Sequence, residues 1–308
     1  MQVDRWLRTN SFHHSRFPFG ERTQTVTVCL PALDEAATIG EIVAVLDRQR
    51  RSGTVDEVVV VDGGSTDGTP EIAEACGARV LVAAELLPTF GPVLGKGDGM
   101  WRALSAIDTD IVCFLDADSG GFGPHFSSGL VGPLLRRPEL VFTKAQFRRP
   151  LATADGVQAT GGGRVTELTA RPALRLFFPL LAGFRQPLAG EIAARRSVLN
   201  RLPFATGYAV ETAMLIDVVA AHGLRATAQV DLDVRHNDHQ ELENLAPMAD
   251  AVLAVIADRL HLDGRLLQDV WAAGPEALDA APGDRSARPP VVRPPLDSLA
   301  AAAAYGGP

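Results

Sequence analysis

Long apolar runs are missing from this sequence. No window approaches the ~18 consecutive apolar residues that a spanning helix needs, and residues 1–19 are polar and basic-aromatic, so neither a membrane anchor nor a secretory leader is expected. Cysteine is scarce. Cys29, Cys76 and Cys113 are odd in number, two of them lie in strand-like apolar runs, and nothing in their spacing resembles a disulfide framework or a zinc ribbon. A reducing cytoplasm is the expected location. Positive charge is also short: 29 Lys and Arg against 37 Asp and Glu give a formal charge of −8. That argues against a nucleic-acid partner, whose phosphates need a basic face. A small anionic substrate is still compatible, because Arg, Lys or a metal reverses the sign inside one pocket. Two nucleotide-binding signatures are absent. The first strand-to-helix turn has no glycine before Gly40, against a dinucleotide fold; the interval Gly91 to Gly95 is too short for Walker A, and Gly97 stands where Ser or Thr should follow Lys96.

What is present alternates. With 46% hydrophobic residues, 308 positions suffice for one large α/β domain or two smaller ones. Residues 25–30 (TVTVCL) predict a doubly covered strand. Residues 38–51 carry Ile39, Ile42, Val43 and Leu46 at helical spacing, with Thr38 and Glu41 as a capping box. A strand at 57–61, a helix at 70–76, a short strand at 78–82, a helix at 98–107 and a strand at 111–115 follow. Such units imply a mainly parallel sheet with right-handed crossovers. The second half is less regular: helix-like runs at 165–176, 209–221 and 248–260, and a strand at 230–234. From residue 280 Pro, Ala and Gly dominate, which predicts a mostly extended or disordered tail. The expected divisions are an N-terminal extension (1–24), a nucleotide-sugar part (25–145), an acceptor-binding and metal-completing part (146–265) and the tail (266–308).

Ligands of open α/β sheets bind beyond the carboxyl ends of the strands, so three loops should meet on one edge. Asp116-Ala117-Asp118 closes the run 110–115; two carboxylates around one small residue make a platform for Mg²⁺ or Mn²⁺, which in turn holds diphosphate oxygens. Asp62-Gly63-Gly64-Ser65-Thr66-Asp67 offers close backbone approach and helix caps, and Pro31-Ala32-Leu33-Asp34-Glu35 can meet a base and ribose. Lys96, flanked by glycines at a helix start, can reach a diphosphate as a point charge.

Together with Gly95-Lys96-Gly97, these loops resemble the nucleotide-binding half of GT-A glycosyltransferases. Gly161–Leu168 (GGGRVTEL), Gln186–Glu191 (QPLAGE) and Phe204–Glu211 (FATGYAVE) narrow the resemblance to the retaining glucosyl-3-phosphoglycerate synthases. It covers about residues 6–260 with the motifs in order. The resemblance implies a GT-A type α/β fold, a Rossmann-like mainly parallel sheet flanked by helices, with a smaller C-terminal acceptor-binding part. It implies a homodimer that moves glucose from UDP-glucose, or another NDP-glucose, to 3-phosphoglycerate. By the same resemblance Pro31, Ala32, Leu33, Glu35 and Gly63 hold the nucleotide, Lys96 the diphosphate, and Asp116-Ala117-Asp118 the ribose side and metal. Glu211 faces the donor sugar, and Gly163, Arg164 and Thr166 take the acceptor's phosphate and carboxylate. The family's late Arg-x-His motif is altered here to Arg235-His236-Asn237-Asp238-His239, so His236, with His239 as alternative, completes the metal site. Rival readings are a mannosyl-transferring relative, another GT-A transferase, a non-catalytic sugar-nucleotide sensor and a sugar-nucleotide pyrophosphorylase. The last needs a glycine-rich basic first loop, where this chain has acidic Asp34-Glu35.

Overall fold

A computed structural model describes residues 2–18, 22–153, 156–158, 162–235, 242–266 and 291–305. The chain opens with α1 (Gln2–Asn10) and β1 (Ser11–His13). It continues through β2 (Val26–Ala32), α2 (Ile39–Arg51), β3 (Glu57–Asp62), α3 (Thr69–Ala75), β4 (Arg79–Val82), α4 (Lys96–Leu104), β5 (Ile111–Phe114), α5 (His125–Arg136) and β6 (Phe142–Arg148). The hairpin β7 (Leu151–Thr153) and β8 (Gly156–Gln158) precedes α6 (Arg171–Phe177), β9 (Ile192–Arg195), α7 (Arg196–Leu199), β10 (Phe204–Ala205), α8 (Val210–His222), β11 (Thr227–Val234) and α9 (Leu242–Leu262). Last come β12 (Val292–Arg293) and a helix, Leu296–Tyr305. Among the described residues no helix is long and apolar enough to cross a membrane.

Eight strands form one sheet in the order β1-β11-β6-β9-β5-β2-β3-β4. All neighbours run parallel except β9, which is antiparallel to both β5 and β6 and makes a seam through the middle. Alternate side chains feed two cores: Val59, Val61, Val112 and Phe114 on one face with Trp101, Met214 and Ile256, and Val28, Leu30, Val58 and Val60 on the other with Ile42, Leu46 and Leu130. Burial on both faces explains why the strands read as continuous apolar runs instead of alternating ones.

Three sequence expectations change. Thr38 makes no side-chain cap to α2; its hydroxyl donates instead to the Ala117 carbonyl at 2.6 Å, a tertiary acceptor that outcompetes the capping box. The run at 165–176 is not one regular helix: a wide π-type turn, Thr166–Ala170, precedes α6, whose first turn holds Pro172 and so lacks one backbone donor. Among the tail's described residues, Val292–Arg293 is extended as a paired strand but Leu296–Tyr305 is helical. β12 pairs antiparallel with β10, Arg293 forks onto the fully buried Asp98 (2.8 and 2.9 Å), and Trp101 Nε1 donates to the Pro294 carbonyl (2.8 Å). The N-terminal stretch is likewise built in: β1 is the eighth strand, and Trp6 and Asn10 donate to the Thr227 carbonyl at 2.8 and 2.7 Å.

Candidate active site

β2 pairs with β3 on one side and β5 on the other, so their carboxyl ends and following loops lie together. The first two loops hold each other. Asp34, in the left-handed region (φ 56°), donates its N–H to Ser65 Oγ and accepts from the Thr66 N–H; Glu35 donates to Thr69 Oγ1 and Ala36 to Asp67. Asp62 turns back to accept from Gly64 and Ser65 N–H, and Gly63 N–H donates to the Ala32 carbonyl at 2.9 Å. Pro31, Ala32, Leu33, Glu35 and Gly63 therefore form one shelf, with the Leu33 side chain 57% exposed on it. Burial, with Asp118 and Asp116 nearby, pushes the Glu35 carboxyl up to about 7.

The third loop carries the charge. Lys96, the first residue of α4, bonds Asp116 Oδ1 (2.5 Å) and Glu211 Oε1 (2.6 Å), the latter from the first turn of α8. Burial alone would lower the Lys96 pKa, but Asp116 and Glu211 raise it, so the ammonium stays charged. Arg235, just beyond β11, forks to Asp116 Oδ2 (2.8 Å) and Asp118 Oδ1 (2.7 Å), contacts Glu191, and lies over the Phe147 ring at 5.5 Å. Against the effect of burial, Lys96 and Arg235 hold the Asp116 carboxyl far below the carboxylate range. Burial pushes Glu191 up to about 7 although Arg235 opposes it. Gly190 must be bare, since an added methyl would overlap both the Asp116 carboxylate and the Lys96 ammonium. Next to this group Lys144 is fully buried on β6 and donates to the Ala189 carbonyl (2.7 Å); burial pulls its pKa down to about 8.

The structure brings Lys96, Asp116, Asp118 and Glu211 into one connected cluster. Asp118, 50% exposed at the side chain, is a hard oxygen donor open to a ligand, which suits Mg²⁺ or Mn²⁺. His236 and His239 lie outside the described residues, as does Gly161. Gly163 has φ 77° and its carbonyl accepts from the Glu167 N–H; Arg164 follows it, and Thr166 is buried. The Arg149 side chain runs along Gly163 and feels the charges of the carboxylate cluster. Burial lowers the Arg149 pKa, as does the charge of Arg235, while Glu191, Asp116 and Asp118 act in the opposite sense. Arg149, Lys144 and the role of Glu191 were not legible from motifs. Arg235 stood in the sequence as the arginine of the altered Arg-x-His motif, but its carboxylate partners Asp118 and Asp116 stand 117 and 119 residues away.

Residues 27–120 match the family described as Glycosyl transferase family 2. The glucosyl-3-phosphoglycerate synthase of Petrotoga mobilis is 41% identical over 266 residues, which span 83% of this chain and 82% of that protein. Among solved structures, the mannosyl-3-phosphoglycerate synthase of Rubrobacter xylanophilus superposes with a TM-score of 0.84 at 38% identity, covering 96% of this chain and 98% of that one. The glucosyl-3-phosphoglycerate synthase of Mycobacterium tuberculosis, in complex with Mn²⁺, UDP-glucose and phosphoglyceric acid, gives 0.74 at 39% identity, over 90% and 91%.

Proposed function

This chain belongs to the glucosyl-3-phosphoglycerate synthase family, and we propose on that footing that it transfers glucose from UDP-glucose to the 2-hydroxyl of 3-phosphoglycerate with retained α configuration. The observation that carries the reading is the shared cluster of Lys96, Asp116, Asp118, Glu211 and Arg235 at the edge where the loops meet. Pro31, Ala32, Leu33, Glu35 and Gly63 form the shelf for uridine. Asp118 would hold Mg²⁺ or Mn²⁺, which would offset charge on the departing diphosphate. Lys96, kept charged by its two carboxylates, donates to that leaving group from the protein side. Glu211 faces the hexose hydroxyls, and Gly163, Arg164 and Thr166, with Arg149 beside them, orient the acceptor.

Glu211 is bound to Lys96 and serves as no covalent nucleophile. Attack comes from the leaving-group face, and a diphosphate oxygen takes the acceptor's proton. Trapping a glycosyl adduct on Glu211 would overturn this. The three cysteines are unpaired, two of them buried, which suits a reducing cytoplasm. A homodimer is the assembly expected of the family, and exposed Leu168, Leu176 and Leu180 are the apolar side chains it could cover.

The likeness to a mannosyl-transferring enzyme makes the donor sugar the point to test. A grid of glucose and mannose nucleotides against phosphoglycerate acceptors, with and without Mn²⁺, should give UDP release with UDP-glucose and 3-phosphoglycerate only when the metal is present. Turnover with a mannose nucleotide alone would replace the glucosyl reading. Arg164→Ala should raise KM for 3-phosphoglycerate about tenfold or more while leaving that for UDP-glucose within about twofold; equal losses would remove Arg164 from the acceptor site.

A further inference from the structure

At the carboxyl ends of β1 and β11, two residues before Arg235, two imidazoles converge on one carboxylate. His13 Nε2 lies 3.3 Å from Asp233 Oδ1 and His14 Nε2 lies 3.0 Å from Asp233 Oδ2. One ligand atom from each of the three residues falls within 4.8 Å of the others. A tetrahedral Zn²⁺ with bonds of 2.0–2.1 Å separates neighbouring ligands by about 3.3 Å, close to each imidazole's distance from the carboxylate, so a small side-chain adjustment brings the set from within 4.8 Å to coordinating separations.

The surrounding contacts fix the donors in place. His13 Nδ1 accepts from the Ser15 N–H at 3.3 Å and lies 2.8 Å from Ser15 Oγ, contacts that fix the ring, so that a metal at Nε2 takes the place of the proton shared with Asp233. The His14 ring is packed between those of His13 (4.2 Å between centroids) and His125 (4.7 Å). Asp233 sits in the left-handed region (φ 68°), and its N–H donates to Asp231 Oδ1 at 3.0 Å. Asparagine and aspartate tolerate that backbone better than other side chains do. His13 and Asp233 are each about half exposed, which leaves room for a water as a fourth ligand.

We propose that His13, His14 and Asp233 form a second metal site, selective for a borderline transition metal such as Zn²⁺ over the Mg²⁺ or Mn²⁺ of the donor site. Imidazole nitrogens favour Zn²⁺, Ni²⁺ and Co²⁺, whereas an oxygen-only platform favours the harder ions. The site staples a three-residue edge strand to β11, and Arg235 follows Asp233 by two residues. A metal there holds the strand end that delivers Arg235 to Asp116 and Asp118.

Co²⁺ serves as the probe, because its visible absorption reports tetrahedral nitrogen coordination directly. The full-length chain should take up one Co²⁺ with that spectrum in the presence of excess Mg²⁺, and Zn²⁺ should displace it. Asp118→Ala should leave this uptake intact. His14→Ala and Asp233→Asn should each weaken it by about tenfold or more, with Asp233→Asn keeping the backbone conformation and side-chain shape. Uptake that disappears with Asp118→Ala, or that persists unchanged in both His14→Ala and Asp233→Asn, overturns the proposal, as does a wild-type chain that shows no tetrahedral Co²⁺ band.

Discussion

The sheet has two sides, divided by β9, and they are held by different physics. On the side of β5-β2-β3-β4 the strands bury almost only apolar side chains, and the loops after β2 and β3 satisfy each other's carboxylates with backbone and hydroxyl donors: Asp62 by Gly64 and Ser65, Asp67 by Thr69 and Ala36, Asp34 by Thr66. At the seam and beyond it, charge is buried. Lys144, Glu191 and Arg235 are each under 5% exposed, and their network joins residues 115 to 119 positions apart. A scaffold built on apolar strands and neighbouring loops carries the proposed nucleotide shelf, whereas the candidate catalytic charges sit where ordered charge is expensive and has to be balanced by partners from distant segments.

The contrast is broken most forcefully at Arg235. Arg235→Met leaves Asp116, Asp118 and Glu191 around a neutral side chain and should cost about 3–5 kcal/mol of stability, together with most of the transfer activity. Urea unfolding that shows a loss below about 1 kcal/mol would mean that the seam does not depend on balanced charge.

Lys144 sharpens the comparison through pH. Its folded pKa, about 8, lies below the ordinary 10.5. Below pH 8 folded and unfolded chains both hold the proton, and the cost of burying it is present in full. Between about 8 and 10.5 the unfolded chain alone keeps it, so stability rises with pH by up to about 3 kcal/mol. Measured against Lys144→Met, wild-type stability should therefore improve across that range. A flat difference would show that the seam tolerates the charge without penalty.

The smallest effect belongs to the β5-β2-β3-β4 side. Asp62→Ala removes a local loop acceptor and should cost about 1 kcal/mol, with a modest loss of UDP affinity by calorimetry. A loss as large as that of Arg235→Met would erase the distinction between the two sides.

The same division explains what could be read from the chain. On the β5-β2-β3-β4 side, residues 57–61 became Glu57–Asp62 and residues 38–51 became Ile39–Arg51, because apolar period and turn chemistry act over a few residues. The reversed direction of β9 has no such local signature; it is set by pairing with β5 and β6. Lys96, Asp116, Asp118 and Glu211 were singled out from loop position and motif resemblance. Arg149 and Lys144 carry no motif, and only the packed sheet shows where they point. The tail misled for a similar reason: its proline-rich composition conceals a single arginine whose carboxylate partner lies 195 residues earlier.

That arginine also imposes an order on synthesis. Asp98 leaves the ribosome early, two residues after Lys96, yet its guanidinium partner emerges only when residue 293 has been made. The first turn of α4 consequently waits, with a carboxylate that has no salt-bridge mate on the β12 side, through the translation of nearly two hundred further codons. A message cut short anywhere in that interval yields a polypeptide with every loop of the nucleotide shelf present and its closing latch missing.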